Sequence, residues 1–222
     1  MLKREYKRLF YTICGLLMRI NGWRYRRFFA PTAGCIKVQL GPGKRNYLAG
    51  WINVDANMFT AKCDVWADLR NPLPFRDGTL SALYSHHVVE HLEDVYAHFR
   101  EVHRVLKPGG VFRIGGPNGD SAMKKFVEGD SAWFSDFPDS RKSLGGRLEN
   151  FIFCRGEHLT VLTYSFLQEV ASQAGFGELK LCLPVTETHF PEVIDAAVLA
   201  LESEPTPDCP HTILVEGQKA LA

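Results

Sequence analysis

The sequence predicts one α/β domain built on a mostly parallel seven-stranded sheet flanked by helices, preceded by a basic amphipathic helix. Three observations carry this expectation. Short β-rich runs alternate with helical segments, glycine-containing turns punctuate them, and the charge is concentrated at one end. The 222 residues are 45% hydrophobic and 23% charged, a balance that suits one domain with a sizeable core. Residues 1–29 hold eight Lys and Arg against Glu5 alone, a net +7, which leaves −6 for the rest of a +1 chain. Such an arm has a partner or a packing role of its own.

In the arm, Leu2, Tyr6, Leu9, Phe10, Ile13, Leu16, Leu17 and Ile20 recur at helical spacing, with Lys3, Arg4, Lys7 and Arg8 largely off the stripe. Asn21-Gly22 is expected to end this helix and Trp23–Phe29 to form a further turn. The run resembles a signal peptide, but Arg19 interrupts it and no prompt small-residue cleavage site follows. It is also too short to cross a bilayer. A cytoplasmic protein is expected, with residues 1–29 either packing (on the domain or on a second copy) or lying on an anionic membrane surface. Nothing else in the chain supports nucleic-acid binding. The six dispersed cysteines, without a CxxC pair, read as reduced thiols.

Pro31–Gly34 reads as a linker, so the arm spans 1–31 and the domain 32–222. Strands follow at Ile36–Leu40, Trp51–Asp55, Cys63–Trp66 and Leu80–Tyr84. Leu92–Leu106 is a helix whose Leu92, Val95, Tyr96, Phe99, Val102 and Leu106 share one face, stopped by Pro108-Gly109-Gly110. Val111–Ile114 is the next strand, Thr163–Ala174 a helix stopped by Gly175, and Leu179–Leu183 and Thr212–Val215 the last strands.

The chemistry-bearing residues stand at the ends of the first strands. VQLGPG opens a strand into Gly41-x-Gly43, which lets backbone approach a ligand closely because neither residue has a Cβ. Asp55, at the tip of GWINVD, can accept hydrogen bonds from both hydroxyls of a ribose, or cap the next segment. Asp68, in ADLRNPLPF, is either an adenine reader together with the Leu69 backbone or a surface acid before Pro72.

The succession VQLGPG, GWINVD, ADLRNPLPF, LYSHHVVEHL and REVHRVLKPGGVFRIGGPN resembles the class I, Rossmann-like S-adenosylmethionine-dependent methyltransferases, and most closely a bacterial small-molecule or glycan-modifying branch. The similarity is strong over 36–118 and fainter over 157–176 and the closing VEGQK. It implies S-adenosylmethionine as methyl donor and S-adenosylhomocysteine as product. By resemblance, Gly41 and Gly43 hold the methionine portion, Asp55 the ribose, and Asp68 with Leu69 the adenine, while Ser85 and His86 lie beside the methyl group. Two departures are visible. Arg45 replaces the usual third glycine, and little room remains for a helix between Leu40 and Trp51. Lys44 or Arg45 is either a partner for the cofactor carboxylate or simply solvated.

His87-x-x-Glu90-His91 also fits an inverted zinc-peptidase pattern, but it directly follows a strand inside a methyltransferase motif, so no metal is expected. A hydroxyl acceptor needs a base, and His86, His87, His91 and His158 are eligible. His86 is favoured by its place near the methyl group and His158 by the faint GEHLTVLTY similarity. Residues 117–164, rich in aromatics such as Phe126, Trp133, Phe134, Phe137, Phe151 and Phe153, are expected to form the substrate lid. The leading expectation is an O-methyltransferase acting on a small molecule or glycan, the alternative an inactive cofactor-binding subunit. A nicotinamide dehydrogenase is disfavoured, because GPGKRN does not complete G-x-G-x-x-G.

Overall fold

The computed structural model describes residues 4–204 and 206–221, with side chains from Leu9 onward. The expected roles of Leu2 and Lys3, and of the side chains of Arg4, Tyr6, Lys7 and Arg8, lie outside the described residues.

The domain is organised by strands buried on both faces. β1 (Lys37–Leu40), β2 (Ile52–Asp55), β3 (Val65–Trp66), β4 (Leu80–His86) and β5 (Leu106–Pro117) are parallel, and β6 (Lys180–Cys182) and β7 (Thr212–Gln218) complete a seven-stranded sheet in the order β3-β2-β1-β4-β5-β7-β6. Only β7 runs against its neighbours, pairing antiparallel with both β5 and β6. Near-continuous burial of β4 is what a parallel strand covered by helices requires. The chain moves outward from β1 to β3 and returns to place β4 on the other side of β1, with Leu40 in register with Ser85. That reversal opens a crevice at the carboxyl ends of β1 and β4, where ligands of such sheets bind.

Alternate residues of the strands feed two cores. Val38, Leu40, Leu83, Phe112 and Ile114 pack with Phe99 and Val102 of α2 (Val95–Val105) and with Leu167 and Val170 of α5 (Tyr164–Ala174). Trp51, Ala82, Tyr84 and Val111 pack on the other side with Val198 of the short α6 (Ala196–Leu199). α2 begins later than the periodicity suggests. Asp94 is its N-cap, accepting from the Ala97 amide, and a 3-10 turn at Val89–His91 precedes it.

α1 (Arg4–Arg24) departs most from expectation. It does not stop at Gly22 but continues into a π-helical turn, Tyr25–Phe29, closed by the Ala30 amide on the Tyr25 carbonyl. The face laid on the domain carries Met18, Asn21, Gly22 and Tyr25, with the Asn21 amide donating to the Trp66 carbonyl on edge strand β3. The predicted apolar stripe points the other way, leaving Leu9, Ile13, Leu16, Leu17 and Ile20 exposed. The cause is shape: the seat on the short edge strand takes a glycine and a hydrogen-bonding asparagine, which hydrophobicity alone counts as polar.

Residues 117–164 form α3 (Gly119–Glu128), α4 (Leu144–Phe153) and connecting turns. Trp133 and Phe134 make a small core with Ala122, Leu148 and Phe151, whereas Phe126, Phe137 and Phe153 are exposed. None of the six cysteines is in a disulfide.

Candidate active site

The carboxyl edge of the sheet gathers the residues singled out in the sequence. Gly41 and Gly43 both have positive φ, at 66° and 57°. A Cβ on Gly41 would lie 2.3 Å from Cγ2 of Val88, so the β4–α2 loop closes on this turn only because residue 41 is glycine. The Gly41 amide donates to the Val54 carbonyl and the Gly43 amide to Oδ2 of Asp55, at 2.9 and 3.0 Å. The other oxygen of Asp55 accepts from the Asn57 amide at 2.8 Å. Asp55 therefore ties the glycine turn to the tip of β2 and remains half-buried, with lone pairs left over for hydroxyl donors. Eleven residues form the connection after β1, which holds no α-helix, and Lys44 and Arg45 are exposed there.

Asp68 is buried rather than a surface turn acid. Its carboxylate is gripped by Arg70, whose Nε and Nη2 donate at 2.7–3.2 Å and whose amide donates to Oδ1 at 3.0 Å. The Arg70 guanidinium stacks 3.7 Å from the centre of the Tyr11 ring of α1. Burial and the nearby Asp68 raise the Tyr11 pKa. Asp68 and Leu69 reach the expected edge, but the acid already has a cationic partner. Neither Arg70 nor Tyr11 was named from sequence, although an Arg two residues beyond an Asp was a visible signal.

At the end of β4, the Ser85 hydroxyl and Nε2 of His86 are buried with no hydrogen-bond partner in the protein. Two orphaned polar atoms beside a glycine cradle and a ribose-competent carboxylate fit a polar cofactor, since such groups are costly unless a ligand satisfies them. Burial, with His87 and Arg113 nearby, lowers the His86 pKa to about 3. An imidazole so reluctant to take a proton is a poor general base.

A second cluster adjoins the first. His87 adopts a positive φ of 55° and its Nδ1 lies 3.0 Å from Oε1 of the fully buried Glu90. Gly116 of β5 makes room for this carboxylate, since a Cβ there would lie 2.9 Å from Oε2. The chain returns across it at 154–159, where the Leu159 amide donates to the Glu90 carbonyl at 2.7 Å. His158 thereby reaches His91, ring centre to ring centre 5.1 Å. Nδ1 of His91 faces the Glu157 carbonyl at 2.8 Å, and Nδ1 of His158 faces the Ile152 carbonyl at 3.0 Å. A carbonyl only accepts, so each neutral ring carries its proton on Nδ1 and turns the Nε2 lone pair inward. Burial lowers the His158 pKa. Sequence reading offered His86 and His158 as separate candidates for the base; the structure groups His158 with Glu90 and His91.

Comparison with known proteins agrees with this geometry. Residues 53–114, from β2 to β5, match the model of a methyltransferase domain. The fold is shared with a SAM-dependent methyltransferase from Thermotoga maritima, at 16% identity over 97% of this chain and 95% of that one, with a TM-score of 0.54. A SAM-dependent methyltransferase from Archaeoglobus fulgidus is similar at 17% identity, 94% and 99% coverage and a TM-score of 0.51. Phosphoethanolamine N-methyltransferase 2 of Haemonchus contortus, solved with phosphomonomethylethanolamine and S-adenosylhomocysteine, is similar at 15% identity and a TM-score of 0.51; 91% of this chain aligns with 53% of that one. None of the curated proteins matches the sequence. Residues 53–114 carry a methyltransferase-domain signature, and the fold is one shared by S-adenosylmethionine-dependent methyltransferases.

Proposed function

We propose that this protein transfers the methyl group of S-adenosylmethionine to a hydroxyl oxygen of a small-molecule or glycan acceptor. Gly41, Gly43 and Asp55 hold the methionine and ribose portions, Leu69 and Asp68 the adenine edge, and Ser85 and His86 border the sulfonium. Adenine recognition by Asp68 requires Arg70 to share or release the carboxylate. The donor arrives activated by its own positive charge, so the protein aligns the partners and excludes water. The acceptor oxygen attacks the methyl carbon opposite sulfur; the new C–O bond forms as the C–S bond breaks, leaving S-adenosylhomocysteine.

One observation carries the preference for a hydroxyl: His158 commits Nδ1 to the Ile152 carbonyl, which leaves a lone pair on Nε2, and its ring lies in a cluster with the buried Glu90 carboxylate. It is placed to draw the acceptor proton, whereas His86 is disfavoured by its depressed pKa. Exposed Phe126, Phe137 and Phe153 on the 117–164 segment supply ring faces for an acceptor. His158→Ala is expected to lower kcat about 10²–10⁴-fold while the affinity for S-adenosylhomocysteine stays unchanged. Undiminished turnover on every accepted hydroxyl substrate would remove His158 from this role. Binding of S-adenosylhomocysteine without turnover on any acceptor, by the native chain, would favour the inactive-subunit alternative.

The outward face of α1 favours the membrane-surface reading of the arm over homodimer packing. Leu9, Ile13, Leu16, Ile20, Trp23 and Phe28 are exposed beside Arg19, Arg24 and Arg27, an apolar ridge edged with cations that suits an anionic lipid interface. None of the described helices is long and apolar enough to cross a membrane. The full chain is expected to sediment with vesicles containing phosphatidylglycerol and much less with phosphatidylcholine alone. Arg24→Glu with Arg27→Glu should abolish that difference. A chain that ignores both vesicles, or that dimerises through Ile13 and Leu16, would overturn this reading.

A further inference from the structure

The group at Glu90, His91 and His158 has an arrangement that hydrogen bonding within the protein does not satisfy. One ligand-competent atom from each of the three residues lies within 4.8 Å of the others. Both imidazoles spend their Nδ1 protons on backbone carbonyls, which leaves each with an Nε2 lone pair to offer. Glu90 adds a third acceptor. Its Oε1 receives a hydrogen bond from His87, while its Oε2 is buried and has no partner in the protein. Nε2 of His91 stands 3.9 Å from Oε1 of Glu90, too long for a hydrogen bond. Apart from the His87 contact to Oε1, the three side chains meet as acceptors, and a cation is what reconciles them.

We infer that Glu90, His91 and His158 bind a first-row divalent transition-metal ion that holds and ionises the acceptor hydroxyl. Imidazole nitrogens favour zinc, cobalt or iron, whereas magnesium prefers an all-oxygen shell. The contacts that would orient the ligands are already in place: a backbone carbonyl faces Nδ1 of each imidazole, and His87 steadies the carboxylate. Bond lengths of about 2.0–2.2 Å around one ion put tetrahedral ligands about 3.4 Å apart, so the ligand atoms, now within 4.8 Å of one another, draw together on binding. Three protein ligands leave the ion an open position, which marks catalytic rather than structural sites.

The inference rests on the hydroxyl-acceptor reading and sharpens it. His158 gives its Nε2 lone pair to the ion, and the ion in place of the imidazole promotes ionisation of the hydroxyl. The hydroxyl proton passes to bulk water, the bound alkoxide attacks the methyl carbon, and S-adenosylhomocysteine leaves with the C–S electron pair. The HxxEH pattern, set aside in the sequence for lack of context, supplies two of the three ligands; the third comes from 67 residues further on.

The test uses the full, tag-free chain, stripped with a chelator and titrated with Co²⁺ by visible absorption and with Zn²⁺ by calorimetry. One ion per chain is expected, with affinity reduced at least about tenfold in His91→Ala and in His158→Ala, and unchanged in His189→Ala, a histidine outside the cluster. Thermal midpoints of the stripped variants, and their S-adenosylhomocysteine affinity, confirm that each is folded and keeps its cofactor site. Saturable binding that survives both substitutions, or no stoichiometric binding of either ion, would overturn the inference and leave a proton as the charge between the acceptors. Because this readout needs neither methyl donor nor acceptor, its failure is distinguishable from failure of the proposed activity.

Discussion

Asp55→Ala is expected to weaken S-adenosylmethionine and S-adenosylhomocysteine binding by about 100-fold or more. The carboxylate would lose charge-assisted bonds to two ribose hydroxyls, each worth about 1.5–3 kcal/mol, and a tenfold change in affinity is about 1.4 kcal/mol. The same substitution releases the Gly43 and Asn57 amides, so the glycine turn proposed to receive the methionine end loses its tie to β2. Asp55→Asn is not a mild replacement, because both carboxylate oxygens face backbone donors and an amide must turn its NH₂ against one of them. Calorimetric titration with S-adenosylhomocysteine measures the loss, and an unchanged affinity would remove Asp55 from the ribose role.

The second large effect lies away from the chemistry. Arg113, on β5, is fully buried and bound by two fully buried carboxylates. Its Nε and Nη2 donate to Glu202 at 2.7 and 2.8 Å, and its Nη1 to Glu216 at 2.7 Å and to the Glu187 carbonyl at 3.0 Å. Glu216 also receives the Thr188 hydroxyl and the His189 amide. These carboxylates hold the Arg113 pKa above its ordinary value despite burial. Arg113→Ala would leave two uncompensated acids in the core, at a cost of about 3–5 kcal/mol. For a chain of this size that corresponds to a fall in Tm of roughly 6–20 °C. Replacing Arg113, Glu202 and Glu216 together by apolar residues should recover much of the loss, because the pair's net contribution is far smaller than the cost of breaking it. A Tm for Arg113→Ala within about 2 °C of the native value would contradict this account.

What the sequence made legible was local. A strand running into Gly41-Pro42-Gly43 and strands ending on Asp55 and at Ser85-His86 place their residues at one sheet edge by chain geometry alone. Asp68 was located by the same logic, but its clamp by Arg70 under Tyr11 depends on where α1 lies. The Arg113 network was invisible because Glu202 and Glu216 stand 89 and 103 residues away, and an arginine in VFRIGG gives no sign of which way it faces. His158 joins Glu90 only through the return of the chain at 154–159, which no periodicity announces. The face of α1 was misread for a different reason. Periodicity found an apolar stripe correctly, but the seat on β3 is filled by Gly22 and Asn21, and the stripe is left for another partner.

Assignment of S-adenosylmethionine to the crevice between β1 and β4 is the step on which the proposed function stands. It is tested most directly by the thermal midpoint of the full chain with S-adenosylmethionine, S-adenosylhomocysteine or NAD. A ligand that binds only the folded chain at about 100 times its Kd adds about 2.7 kcal/mol of stability, so the first two should raise the midpoint by several degrees and NAD should leave it unmoved. Stabilisation by NAD alone, with no response to either sulfur-bearing ligand, would contradict the claim.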